Sequence, residues 1–114
     1  MAITDGLRIF HMRDAARNII KHSSGLKRRD FDEDEIIQLA LTRLVEILGE
    51  AAANVSPSTR ERYPKIPWQD IADTRHKLVH GYFKIKLGVL WKIISKDVPA
   101  VLPALEAAAD EAEP

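Results

Sequence analysis

The run Asp73-Thr74-Arg75-His76-Lys77-Leu78-Val79-His80-Gly81-Tyr82-Phe83 gathers ionisable and hydroxyl groups between apolar anchors, and it stands out from the rest of this 114-residue chain. Arg75 offers a planar fork of donors suited to two oxygens of one phosphate. His80 carries an imidazole, a group whose ordinary pKa of about 6.5 lets it give or take a proton near neutrality. A phosphate clamp and a proton-transfer group together are what the cleavage of a phosphodiester needs.

Their spacing is a difficulty. On a straight helix five residues turn through about 500°, which leaves Arg75 and His80 roughly 140° apart. Two routes bring them to one target. The helix can loosen before Gly81 and redirect His80, or a second copy of the chain can complete the site across a two-fold axis. Tyr82 is seven residues beyond Arg75 and two beyond His80, so its hydroxyl borders the groove whether the chain stays helical or becomes extended there. The blander role for Tyr82 and Phe83 is to plug the end of a helical bundle.

Apolar spacing supplies the frame for this segment. From about Thr4 to Ser23, the residues Ile9, Met12, Ala16, Ile19 and Ile20 recur at steps of three and four, which predicts a helix with one apolar stripe. Ser23-Ser24-Gly25 provides a stop. The acidic run from Asp30 to Glu35 can cap a second helix, from about Asp32 to Asn54, with Ile36, Ala40, Leu44, Ile47, Leu48 and Ala51 on its inner side. Gly49 inside it costs about 1 kcal/mol against alanine, so a close helix–helix contact is expected there. Three prolines between Val55 and Pro67 make this the longest loop. Trp68, Ile71, Ala72, Leu78 and Val79 mark a third helix, begun near Pro67 and ended at Gly81. Leu87, Leu90, Trp91, Ile93 and Ile94 define a short fourth helix from Lys86 to Lys96. Asp97 is placed to cap a fifth, in which Leu102, Leu105 and Ala109 form the stripe and Pro103 predicts a kink or a later start. With no strand alternation and no repeat, the expected fold is all-α: an up-and-down bundle of four or five helices, one domain over residues 1–114.

Composition narrows the chemistry. Apolar residues make up 46% and charged residues 30%, as in a globular protein. There is no cysteine, which removes disulfides, thiolate nucleophiles, iron–sulfur clusters and thiolate zinc sites. No apolar stretch approaches the roughly 18 residues of a membrane span, and Asp5 and Arg8 interrupt any leader, so a cytoplasmic protein without membrane contact is expected. Seventeen basic and seventeen acidic side chains cancel, so any nucleic-acid contact must be local. The early cluster Lys21, Lys27, Arg28 and Arg29 and the acidic tail Glu106, Asp110, Glu111 and Glu113 read first as solvated faces, the former with a secondary capacity to touch a phosphate backbone. Glycine-rich phosphate loops, a serine elbow and a dinucleotide fingerprint are all missing. His76 and His80 have the spacing of a helical zinc pair, but Lys77 stands where a zinc protease motif needs glutamate, and its charge opposes a cation. No metal or cofactor is expected.

Arg, four residues, His, any residue, Tyr resembles the signature of the HepT-like toxins of the HEPN superfamily. The polar His76 after Arg75 and the Leu78-Val79 pair before His80 fit the same pattern. Leu48-Gly49-Glu50-Ala51 resembles the family's turn in helix two, Ile66-Pro67-Trp68 its entry to the motif helix, and Trp91 with Asp97-Val98-Pro99 its tail, so the likeness covers most of the chain. The resemblance implies a HEPN-like bundle of four or five helices whose homodimer brings two motifs to one cleft, and RNA cleavage without a metal. His80 would be the general base on a ribose 2′-hydroxyl and Arg75 the phosphate holder, with a 2′,3′-cyclic phosphate product. Tyr82 would receive AMP from a minimal nucleotidyltransferase antitoxin, which blocks the cleft. His76 and Glu50 would be supporting residues, Glu50 orienting the Arg75 guanidinium if the two pair. The rival reading from another class is a non-catalytic helical subunit that binds substrate or regulates a nucleotidyltransferase; the joint presence of Arg75 and His80 favours the nuclease.

Overall fold

The structure, a computed structural model, describes residues 3–80 and 84–113, with the backbone alone for Val79 and His80. Helix α1 (Asp5–Ser23) opens on Thr4, whose hydroxyl accepts from the Leu7 amide at 3.1 Å, and stops before Gly25 at φ 75°. Helix α2 (Arg28–Glu33) precedes α3 (Glu35–Ala53), and Asp34 caps α3 by accepting from Ile37 N at 3.0 Å. Of the acidic run expected to cap one helix, only Asp34 does so. The residues before it form a helix of their own, because Phe31, fully buried, gives that short turn an anchor against Trp91, with ring centroids 5.2 Å apart.

The expected long loop holds a further short helix, α4 (Pro57–Arg62), with proline in its first turn. Then come α5 (Trp68–Ala72) and α6 (Thr74–Leu78), two pieces of the expected third helix, and a two-residue antiparallel ladder, β1 (Val79–His80) with β2 (Lys84–Ile85). A ladder this short leaves no alternation for sequence reasoning to find. The last segment is one continuous rod: α7 (Leu87–Lys92), a π-helical turn (Ile93–Asp97) and α8 (Val98–Glu111). The break expected at Asp97 is therefore absent. Asp97 is helical and makes no side-chain cap, and the Val98 amide reaches back five residues to Ile93 O. A widened turn accommodates the start of α8, and the helix runs on through Pro103.

The result is an all-α, HEPN-like bundle. α1 lies between α3 and α8, and α5 packs on α3. Ile9, Met12 and Ile19 from α1 meet Leu41, Val45 and Leu48 from α3 and Val98 and Leu105 from α8, all nearly inaccessible. The inner face of α3 is the expected one only in part: Leu48 and Ala51 are buried and Leu44 and Ile47 pack against the core, but Ile36 and Ala40 are exposed. Ile36 is 77% exposed, and the buried line runs through Leu41, Val45, Leu48 and Ala52. Apolar residues occupy more than one side of this helix, so periodicity alone could not choose between them. Among the described residues no helix is long and apolar enough to cross a membrane.

Polar ties lock the frame. Arg17 of α1 forms a two-point pair with Glu106 of α8, with Nε to Oε1 at 2.6 Å, and these hydrogen bonds hold the Glu106 carboxyl below its ordinary range. Arg60 of α4 donates to Ala52 O at 2.9 Å, a carbonyl in the last turn of α3, and to Val55 O at 3.1 Å just beyond the helix. Asp5 accepts from the Ser56 hydroxyl, the Thr59 hydroxyl at 2.7 Å and the Ser56 amide at 3.2 Å, joining the start of α1 to the start of α4. The Ser56 hydroxyl is the first cause of a lowered Asp5 pKa, against the opposing effect of burial. A carboxyl lowered on folding stabilises the protein above its unfolded value of about 3.9, and that contribution disappears as pH falls through the folded value. Asp5→Ala is expected to cost about 1–2 kcal/mol at pH 7 and to flatten the acid limb of stability against pH. Urea unfolding from pH 7 to pH 2 measures both, and an acid limb unchanged by the substitution would remove Asp5 from the account.

Candidate functional site

A cavity of about 680 Å³ opens between α3 and the α5–α6 segment. On the α3 side, Arg43, Glu46, Gly49, Glu50 and Ala53 follow one another at helical steps along one face. Ala72, Arg75 and His76 line the opposite side.

Gly49 fixes how close these walls stand. A Cβ at this position would lie 3.0 Å from both Ile71 O and Thr74 Oγ1, so glycine is what lets α3 reach the junction of α5 and α6. The expected close helix contact is here. At the same junction Thr74 Oγ1 donates to Ile71 O at 2.6 Å, the carbonyl that a regular helix would offer to the Arg75 amide. The His76 amide turns back only three residues, to Asp73 O at 3.1 Å. The helix thus restarts immediately before Arg75. Leu78, fully buried, pins the far end of α6, and Arg75, His76 and Lys77 between are exposed.

Of the residues singled out by sequence, Arg75, His76 and Glu50 come together in this one cavity. No ion pair or hydrogen bond joins Glu50 to Arg75 among the described residues, so the orienting pair allowed for in sequence is not formed. Nor does either side chain, or that of His76, bond to any other described residue. The backbone of His80 is described and lies in β1, opposite Lys84, while Val79 lies opposite Ile85. The Lys86 amide donates to Leu78 O at 2.8 Å and extends the pairing. α6 therefore ends at Leu78, three residues ahead of Gly81, and the straight-rod angle between Arg75 and His80 does not apply. The backbone leaves the helix before Gly81, which the first of the two routes requires and the second allows. The His80 imidazole, Gly81, Tyr82 and Phe83 lie outside the described residues.

Sequence reasoning missed Arg43 and Glu46. They stand seven and four residues before Glu50, and that spacing on the polar side of α3 was the available signal. The cavity offers two guanidinium groups and an imidazole against two carboxylates. Arg75, exposed and without a bond to a described residue, can close both arms on a phosphate, while Glu46 and Glu50 keep the space from attracting anions indiscriminately. Among the described residues no group of three or more His, Asp or Glu is arranged to hold a metal ion.

The family model described as ribonuclease HepT-like matches residues 12–108. The chain is 31% identical over 98 residues to a candidate RNase of Methanocaldococcus jannaschii, covering 86% of this chain and 90% of that protein. A candidate RNase of Caldanaerobacter subterraneus subsp. tengcongensis is 35% identical over 78% of this chain and 80% of its own. A candidate ribonuclease HepT of Thermococcus cleftensis is 40% identical over 63% of this chain and 66% of its own. No solved structure matches the chain.

The geometry separates residues that hold the cavity from those displayed in it. Arg75→Ala is expected to change unfolding free energy by no more than about 0.5 kcal/mol, as an exposed side chain without internal partners should. Gly49→Val, which presses on a backbone carbonyl, should cost about 1–3 kcal/mol. Urea titration of the two variants beside the parent chain reads the contrast, and equal costs would make Arg75 a structural residue.

Proposed function

The chain belongs to the ribonuclease HepT-like family of the HEPN superfamily, and on that premise we propose that it is the toxin ribonuclease of a HEPN/MNT toxin–antitoxin pair, cutting RNA without a metal. The observation that carries the proposal is the Arg75 guanidinium, exposed in an open cavity and bonded to no other described residue.

His80 takes the proton from a ribose 2′-hydroxyl. The freed oxygen attacks the adjacent phosphorus, and the bond to the 5′-oxygen breaks, leaving a 2′,3′-cyclic phosphate and a 5′-hydroxyl that collects a proton from water. Arg75 holds the phosphate as negative charge builds on its oxygens. His76 and Glu50 support from the cavity walls. The working unit is a cytoplasmic homodimer of single-domain protomers. Ile36 and Leu39, 77% and 51% exposed on the same helix as Arg43, Glu46 and Glu50, support that reading, since a second copy would cover apolar surface beside the cavity. The partner is a minimal nucleotidyltransferase antitoxin that transfers AMP to Tyr82, adding bulk and negative charge where RNA must enter.

Purified protein incubated with RNA and a chelator should yield fragments ending in cyclic phosphate. Arg75→Ala and His80→Ala should each lower the rate by about a hundredfold or more, and both should relieve the growth arrest expected on inducing the intact chain. Normal growth together with intact RNA would instead favour the non-catalytic binding subunit.

The regulatory part has its own test. Co-expression with the nucleotidyltransferase should raise the mass of the peptide containing Tyr82 by whole adenylyl groups and leave Tyr82→Phe unmodified. Identical masses for the two would remove the antitoxin chemistry and leave the nuclease standing.

A further inference from the structure

The chain is neutral as a whole, but its charge is not evenly placed. From Thr74 to Lys96 there is no aspartate or glutamate, and this stretch of 23 residues carries Arg75, Lys77, Lys84, Lys86, Lys92 and Lys96. The other eleven cations share the rest of the chain with all seventeen carboxylates. In the structure the stretch covers α6, the β1–β2 ladder, α7 and the π turn up to Lys96, with Asp97 closing that turn; α6 packs against α7, and Leu78 and Leu90 are both fully buried. Burial of its apolar side leaves all six cations exposed. Among the described residues none of the six is in an ion pair; of the eleven other cations four are, Arg8, Arg13, Arg17 and Arg28.

We propose that this stretch is a track for the phosphate backbone of single-stranded RNA, leading away from the Arg75 cavity across Lys84 and Lys86 towards Lys92 and Lys96. The inference rests on the ribonuclease reading and specifies where the substrate lies beyond the bond that is cut. Lys84 stands opposite His80 in the ladder, so the track adjoins the motif. Lys84 and Lys86 are two residues apart, roughly 7 Å along an extended chain, a spacing that can meet neighbouring phosphates. Lys92 and Lys96 are separated by about one turn of the rod, on the exposed side that also carries Gly88. Arg28 marks the edge. It reaches within 4.0 Å of a Cβ built on Gly88 and lies 6.0 Å from the Trp91 ring, and it is tied to Asp32 at 2.8 Å.

Acidic neighbours argue against the early basic cluster as the main contact. Lys27, Arg28 and Arg29 run directly into Asp30, Asp32 and Glu33. A polyanion following that path would meet carboxylates within one helical turn. Between Arg75 and Lys96 the sequence offers none, Asp97 coming only at the far end, and each phosphate neutralised there releases a counterion. RNA fits such a surface better than an acidic protein does, because its charges are regularly spaced and the cations recur, all exposed, along successive elements.

A 2′-O-methyl oligonucleotide of 20 residues, which has no free 2′-hydroxyl to attack, tests binding separately from cleavage. The variant Lys84→Gln/Lys86→Gln/Lys92→Gln should bind it about tenfold more weakly at low salt, and the slope of log affinity against log salt should fall by about 2, near 0.7 per phosphate contact. Each single substitution should lower the slope by about 0.7, which keeps the test available if the triple variant is destabilised. Lys21→Gln/Lys27→Gln/Arg29→Gln should leave affinity within about twofold of the parent. Unchanged affinity in the Lys84 series, as expected if the surface serves an acidic protein, or a larger loss in the Lys21 series, overturns the track. Loss of RNA cleavage with oligonucleotide binding of the expected pattern would instead count against the nuclease chemistry alone.

Discussion

The approach of α3 to the junction between α5 and α6 determines where every cavity residue stands. A glycine inside a helix costs about 1 kcal/mol against alanine, and here the absence of a side chain brings helix backbone against the carbonyl of Ile71. That carbonyl is already taken by the Thr74 hydroxyl. Two ordinary features, a missing Cβ and a side chain that competes for a backbone acceptor, together end one helix and start the next a single residue before Arg75. The guanidinium faces the cavity because the backbone has been reset beneath it.

Elsewhere the molecule leaves few polar groups idle. No buried side-chain nitrogen or oxygen among the described residues lacks a partner. Most arginines are committed: Arg8, Arg13, Arg17 and Arg28 to carboxylates, Arg60 to carbonyls at the end of α3, and Arg62 to the face of Tyr63. Arg29, Arg43 and Arg75 are without such partners among the described residues, and the last two line the same cavity. Their positions are maintained by the packing of the helices that carry them, which leaves their donors for a ligand.

Much of this was legible in the sequence, for reasons that can be named. The stripe of α1 stands out because Ile9, Met12 and Ile19 each follow a polar residue, and the cost of Gly49 correctly signalled a close contact. Arg75, His76 and Glu50 were found by residue type and motif, and they share one cavity. The face of α3 is legible only in part: Leu48 and Ala51 are buried as their spacing predicts, but Ile36 competes with Leu41 and Val45, and no local rule says which side the rest of the chain will cover. The short helices α2 and α4 escaped because each is stabilised by tertiary contacts, Phe31 against Trp91 and Arg60 against α3, instead of by its own pattern. The end of α6 at Leu78 was placed too late. Gly81 is a conspicuous helix breaker, but the pairing of Val79 with Ile85 draws the backbone out of the helix first.

The π turn at Ile93–Asp97 acts as a phase correction. Leu90, Ile94 and Val98 are buried at steps of four across this turn, wider than the 3.6 of a regular helix, and Val101, Leu105 and Ala108 continue the stripe beyond it. Over those eight residues an unbroken α-helix would drift by about 80°, enough to turn Val98 away from the line set by Leu90. A single surplus residue, absorbed in one wide turn, keeps the stripe straight. The irregularity is therefore already encoded in the spacing of the apolar residues: pattern and bulge are a matched pair, and trimming one without the other would leave the two halves of the rod facing different neighbours.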